Sequence, residues 1–89
     1  MMKVEVEKNA CDFVRLLPEK SRRIILTHLQ KLENPSYTQG IERLASDVYR
    51  MHVGRSYTIM FTILHDCDIV RVTNIYSIEI AHKRYNRDT

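Results

Sequence analysis

Polar and apolar residues alternate from Met2 to Glu7, with Met2, Val4 and Val6 on one side and Lys3, Glu5 and Glu7 on the other. This is the two-residue period of a half-buried strand. The period then lengthens. Ala10, Phe13, Val14 and Leu17 recur at helical spacing behind Asn9, which suits an N-cap, with Asp12 three residues on to help satisfy the first turn. Pro18 cannot continue that helix but suits the first turn of another. The second helix is predicted from Pro18 to about Glu33, with Ile25, Leu29 and Leu32 as its inner stripe and Leu26 at one edge. Asn34-Pro35 closes it, because a residue before proline is pushed out of the helical region. Two helices joined at a proline predict a hairpin that covers one face of a sheet.

Ser36 to Gly40 is a polar loop, and Ile41 to Ser46 fits either a loop or the start of a strand. Val48 to Val53 alternates clearly, with Tyr49, Met51 and Val53 on one face and Arg50 and His52 on the other. Gly54-Arg55-Ser56 is turn material. Tyr57 to Leu64 is β-branched and aromatic, with Tyr57, Ile59, Phe61 and Ile63 on one face and Thr58, Met60, Thr62 and Leu64 on the other. His65-Asp66-Cys67-Asp68 turns the chain into a strand from Ile69 to Tyr76. Ile78 to about Tyr85 is predicted as a short terminal helix, followed by a fraying tail. The order β-α-α-β-β-β-α defines an α+β fold, a largely antiparallel sheet with a helical hairpin on one face. One domain over residues 1–89 is expected.

Composition narrows the class without naming a function. Hydrophobic residues at 44% and charged residues at 28% are globular values and argue against disorder. No apolar run approaches the length of a membrane span, and the charged N-terminus is unlike an export signal. A cytoplasmic protein without membrane attachment is expected, with Cys11 and Cys67 as free thiols. The net charge of +3 says little by itself. Its distribution says more, because no acidic residue occurs from Val48 to His65 although the chain holds 11. That stretch predicts a hairpin that presents a surface to something anionic.

Several short motifs in order resemble one family. A strand, an "LP" step into a helix, an "LENP" ending, a "YRMHVGRSYTI" hairpin and a terminal "AHKRY" are similar to the RelE/ParE toxins over Val4 to Tyr85. The resemblance implies the toxin half of a toxin–antitoxin pair, held inactive by a cognate antitoxin protein. For the RelE branch it implies an endoribonuclease that cuts mRNA on the ribosome without a metal or other cofactor. The ParE branch shares the fold and poisons DNA gyrase instead.

Metal-free RNA cleavage by an attacking 2′-hydroxyl needs a base, cations at the phosphorane and a donor for the leaving 5′-oxygen. Arg50 and His52 face one way on their strand and match the family's two basic positions there, implying a phosphate clamp and an acid or base. They also fit the solvated side of a one-sided sheet. Tyr85 matches the family's terminal tyrosine, and His82 is the alternative base. Arg55 in the turn, Arg71 on the next strand, Lys83 and Arg84 near the end, and Lys20, Arg22 and Arg23 on the second helix are candidate RNA contacts. The basic helix positions fit a solvated face equally. Tyr57 is assigned to the core by alternation, His28 to a helix flank, and His65-Asp66-Cys67-Asp68 lacks zinc-type spacing.

Two positions depart from the family pattern. Thr58 stands where an arginine usually follows the tyrosine, and Glu79 stands where a second arginine is usual. A catalytically weak protein that still binds antitoxin and RNA is therefore the alternative to an active nuclease. The proton-transfer groups His52, His82 and Tyr85 favour RNA over gyrase.

Overall fold

The first strand and the last lie side by side. In a computed structural model, which describes residues 1–78, β1 (Lys3–Val6) pairs in parallel with β5 (Ile69–Ser77). The Lys3 amide donates to the Asp68 carbonyl at 2.9 Å and the Glu7 amide to that of Val72 at 2.9 Å. Between them come α1 (Lys8–Arg15), α2 (Glu19–Lys31), a 3-10 turn at Pro35–Tyr37, β2 (Ile41–Arg43), β3 (Val48–Val53) and β4 (Tyr57–Leu64). The sheet order is β1-β5-β4-β3-β2, and every pairing except β1 with β5 is antiparallel. The predicted α+β class holds. One strand is added: the ambiguous stretch after Gly40 supplies β2 as an edge.

The core forms between the helices and one sheet face. Ala10 and Val14 of α1, and Ile25, Leu29 and Leu32 of α2 and its end, join Met51, Val53, Ile59, Phe61, Ile63, Val70, Val72 and Ile75 in one buried cluster. Tyr57 packs against that cluster and meets Phe13 edge-on at 6.1 Å, while Tyr49 stacks on Phe61 at 5.6 Å. Leu26, at the edge of the stripe, stays 48% exposed. Burying a large apolar side chain contributes about 1.5–3 kcal/mol, so this layer decides which sheet face the helices cover.

The helix ends differ slightly from expectation. Glu7, not Asn9, is the N-cap of α1, and it makes no side-chain cap. The Glu7 amide is held in the β1–β5 ladder, so the chain enters the helix at once and Asn9 falls inside the first turn. Pro18 takes the cap of α2 rather than its first turn; its carbonyl accepts from the Arg22 amide at 3.0 Å. α2 closes through tighter bonds, from the Glu33 amide to Gln30 and the Asn34 amide to Lys31, before Pro35. Beyond Ile78, the predicted terminal helix to Tyr85, with Glu79, His82, Lys83, Arg84 and Tyr85, lies outside the described residues.

Gly54 carries the β3–β4 turn at φ +58°, and a Cβ there would meet no atom within 4 Å. Backbone conformation rather than space selects glycine. The turn is tied down from the end of the neighbouring β5, where the Ile78 amide donates to the Ser56 carbonyl at 2.8 Å.

Candidate functional site

Alternation places Arg50 and His52 on the sheet face away from the helices, because Met51 and Val53 between them are drawn into the core. The pairing registers then name their neighbours. His52 stands opposite Thr58 of β4, which stands opposite Tyr76 of β5. Arg50 stands opposite Met60 on one side and Glu42 of β2 on the other. The row of Glu42, Arg50 and Met60 thus adjoins a row of imidazole, hydroxyl and phenol. Among the described residues no helix covers this face.

Thr58 is 2% exposed, and its hydroxyl shares a hydrogen bond with His52 Nδ1 at 3.1 Å. That bond controls which proton the imidazole offers. When the hydroxyl donates to Nδ1, Nε2 of the neutral ring carries the proton and serves only as a hydrogen-bond donor. When the hydroxyl accepts, the neutral ring leaves Nε2 as a base and the imidazolium offers its Nε2 proton as an acid. The buried Thr58 hydroxyl therefore orients the His52 ring.

Arg50 is not a bare cation. Its Nε and Nη2 both donate to Glu42 Oε2, at 3.0 and 2.8 Å, and its side chain is 26% exposed. The acid-free run in the sequence acquires a carboxylate from the neighbouring edge strand. A phosphate that takes Arg50 has to compete with Glu42 for it. Such a bond to a charged acceptor is strong and directional, so Glu42 also fixes where the guanidinium sits before a ligand arrives.

The other predicted residues are distributed around the molecule. Arg55 is exposed in the β3–β4 turn, three residues beyond His52. Arg71 shares the sheet face of Arg50 but lies two strands from β3, about 10 Å across the sheet. It stands opposite Glu5, with its Nη2 3.6 Å from the carboxylate. Lys20 and Arg23 are exposed and Arg22 half-buried at the start of α2, and Arg23 pairs with Glu19 at 2.6 Å. The structure does not bring these helix cations to Arg50. His82, Lys83, Arg84 and Tyr85 lie outside the described residues. His28 donates Nδ1–H to the Ile24 carbonyl at 2.8 Å, as a helix-flank histidine does. His65, Asp66, Cys67 and Asp68 form the exposed β4–β5 turn, with Asp68 at φ +55°. Both cysteines are free thiols.

Two members of the site escape a reading of the sequence. Glu42 is one, since nothing in its surroundings announces a strand pairing with Arg50. Tyr76 is the other. Strict alternation from Arg71 would put Thr73 and Ile75 outward and Tyr76 in the core. The ladder shifts between Met60 and Phe61, which pair with Asn74 and Val72, leaving Thr73 extra. Thr73 donates its hydroxyl to the Met60 carbonyl at 3.3 Å at this bulge. Ile75 consequently turns inward, 3% exposed, and Tyr76 joins Thr58 on the outer face. The step of three from Val72 to Ile75 was the available signal.

Comparison with solved structures places this arrangement in a known fold. The isolated RelE toxin of E. coli matches with a TM-score of 0.71 at 18% identity, over 96% of this chain and 99% of that one. The archaeal RelE–RelB complex from Pyrococcus horikoshii matches at 0.71 and 17%, over 85% and 93%. The RelBE2 toxin–antitoxin complex from Mycobacterium tuberculosis matches at 0.73 and 11%, over 85% and 96%. No family model matches the chain, and no curated protein matches it by sequence. The chain has the RelE toxin fold. Among the described residues no helix is long and apolar enough to cross a membrane.

Proposed function

We propose that this chain is the toxin of a toxin–antitoxin pair and acts as a metal-free endoribonuclease on mRNA at the ribosome. The observation that carries the reading is the adjacency of Arg50 to the row His52, Thr58 and Tyr76 on the helix-free face. In this reading Arg50 leaves Glu42 to clamp the scissile phosphate. His52, oriented by Thr58, moves a proton at Nε2. Tyr76 offers a phenol beside the same row, and His82 and Tyr85 are further candidates for proton transfer. The fold supports an antitoxin partner, since matched structures include RelE–RelB and RelBE2 complexes.

Expression tests the reading directly. Uncontrolled expression is expected to arrest growth, with relief by the product of the neighbouring gene and new 5′ ends on translated messages. Harmless expression removes the toxin reading. Unchanged message ends with accumulating DNA breaks would replace it by gyrase poisoning.

A second reading keeps the antitoxin and RNA contacts but little cleavage. Thr58 in place of the family arginine, together with the carboxylate held on Arg50, favours it. Antitoxin-relieved arrest without new message ends would select this alternative.

A further inference from the structure

β2 is short, and its register ends at Ile41 opposite Met51. The last two residues of β3, His52 and Val53, therefore have no partner on that side among the described strands. At this open corner the end of α2 and the segment after the 3-10 turn form a cleft of about 380 Å³ with the sheet edge. His28, Lys31, Tyr37, Thr38, Gln39, Met51 and His52 line it. Its volume is within the range of about 300–1,000 Å³ usual for small-ligand sites. His52 belongs both to this cleft and to the row beside Arg50, so the two are continuous around the sheet edge.

The lining has the chemistry of a nucleotide site. It contains a lysine and two histidines and no carboxylate. Tyr37 is 90% exposed, an uncommon state for an aromatic ring, and offers a flat face at the rim. Thr38 fixes this segment through its single hydroxyl proton, shared between the Lys31 carbonyl at 2.7 Å and that of Asn34 at 3.0 Å. The Gln39 amide adds a donor and an acceptor suited to a base edge. His28 uses Nδ1 on the main chain, leaving Nε2 as its other polar atom. A cation beside an exposed aromatic is the arrangement that holds single-stranded nucleic acid without reading its sequence.

We propose that this cleft is a second RNA subsite, holding the base and phosphate of a nucleotide next to the one at Arg50 and His52. Tyr37 stacks on the base and Lys31 binds the phosphate. The inference rests on the RNA reading above and extends it to residues outside the sheet.

The test uses the full chain and fluorescein-labelled, uncleavable 2′-O-methyl oligoribonucleotides of two and five nucleotides, measured by anisotropy. The wild type is expected to bind the longer oligonucleotide more tightly. Tyr37→Ala is expected to weaken that binding roughly 5- to 150-fold, the range for loss of one stacked base, while Tyr37→Phe keeps it. Lys31→Ala is expected to reduce the slope of log affinity against log salt by about 0.7. Both side chains are exposed, so thermal unfolding should match the wild type. Wild-type length dependence in both alanine variants overturns the subsite, and weakening of both oligonucleotides by Arg50→Ala would then show that the RNA reading survives. No binding of either oligonucleotide by the wild type overturns the subsite, and the reading of a nuclease acting at the ribosome is then decided separately by message 5′ ends during expression. If the variants weaken only capture of the neighbouring gene's product, the cleft is a protein contact and the nucleotide assignment fails.

Discussion

Arg50 and Arg71 occupy similar positions at opposite sides of the sheet. Each sits one strand in from an edge, on the helix-free face, and each faces a glutamate directly across on the edge strand. The likeness ends with geometry and company. Arg50 makes two hydrogen bonds to one oxygen of Glu42, and its side chain is 26% exposed. Arg71 is 44% exposed, and its nearest carboxylate contact is 3.6 Å, beyond good hydrogen-bond length. That carboxylate is shared with Lys3, at 3.8 Å from the other oxygen. Two residues beyond Arg50 stands His52 with its buried hydroxyl partner; two residues beyond Arg71 stands Thr73, at the bulge. The two pairings thus differ in what adjoins the cation: a histidine with a fixed hydroxyl partner beside Arg50, a bulge residue beside Arg71.

The largest expected effects test whether that adjacency matters. His52→Ala should lower message cleavage by about 10²–10⁴-fold, the usual contribution of a positioned acid or base, with a stability loss of about 0.5–1.5 kcal/mol for the lost bond to Thr58. Arg50→Ala should lower it by about 10²–10³-fold, whereas Arg71→Ala should remain within a few-fold of wild type. Quantitative 5′-end mapping on translated messages gives all three rates. Equal losses at Arg50 and Arg71 would erase the distinction between the two pairs.

A smaller effect isolates the hydroxyl. Thr58→Val keeps the shape of the side chain and removes its bond to His52. Cleavage should drop and its pH profile should change, while unfolding in urea registers a loss of about 0.5–1.5 kcal/mol. An unchanged profile would reduce Thr58 to a packing residue.

The smallest effects compare the glutamates. Glu42→Gln and Glu5→Gln should each change stability by no more than about 0.2–1 kcal/mol, because both pairs are at least partly solvated. Their effects on RNA should differ. Removing the charge of Glu42 is expected to alter oligonucleotide affinity through Arg50, and removing that of Glu5 is expected to leave it unchanged. Identical affinities for the two variants would mean that Glu42 does not compete for the clamp.

Legibility followed burial. β3 and β4 coincide with their predicted spans because β3 alternates cleanly and β4 is rich in β-branched and aromatic residues between two turn segments. The inner stripe of α2, Ile25, Leu29 and Leu32, is buried as its spacing required. Where apolar periodicity was thin, reading failed. In Ile41 to Ser46 the apolar residues Ile41, Leu44 and Ala45 follow no two-residue period, so β2 became definite only through its ladder with β3, and Glu42 came with it. The α1 cap moved because a strand hydrogen bond to the Glu7 amide outweighed the local preference of Asn9.

Local periodicity and backbone sterics are enough to set the layers, the face on which Arg50 and His52 stand, and the left-handed turn at Gly54. The company those residues keep comes from long-range pairing. Strand order put Glu42 against Arg50, register put Thr58 beneath His52, and one extra residue at Thr73 turned Tyr76 outward. Such relations join positions far apart along the chain, and a local pattern carries no information about which distant strand a residue will face or about a shift of a single residue in register.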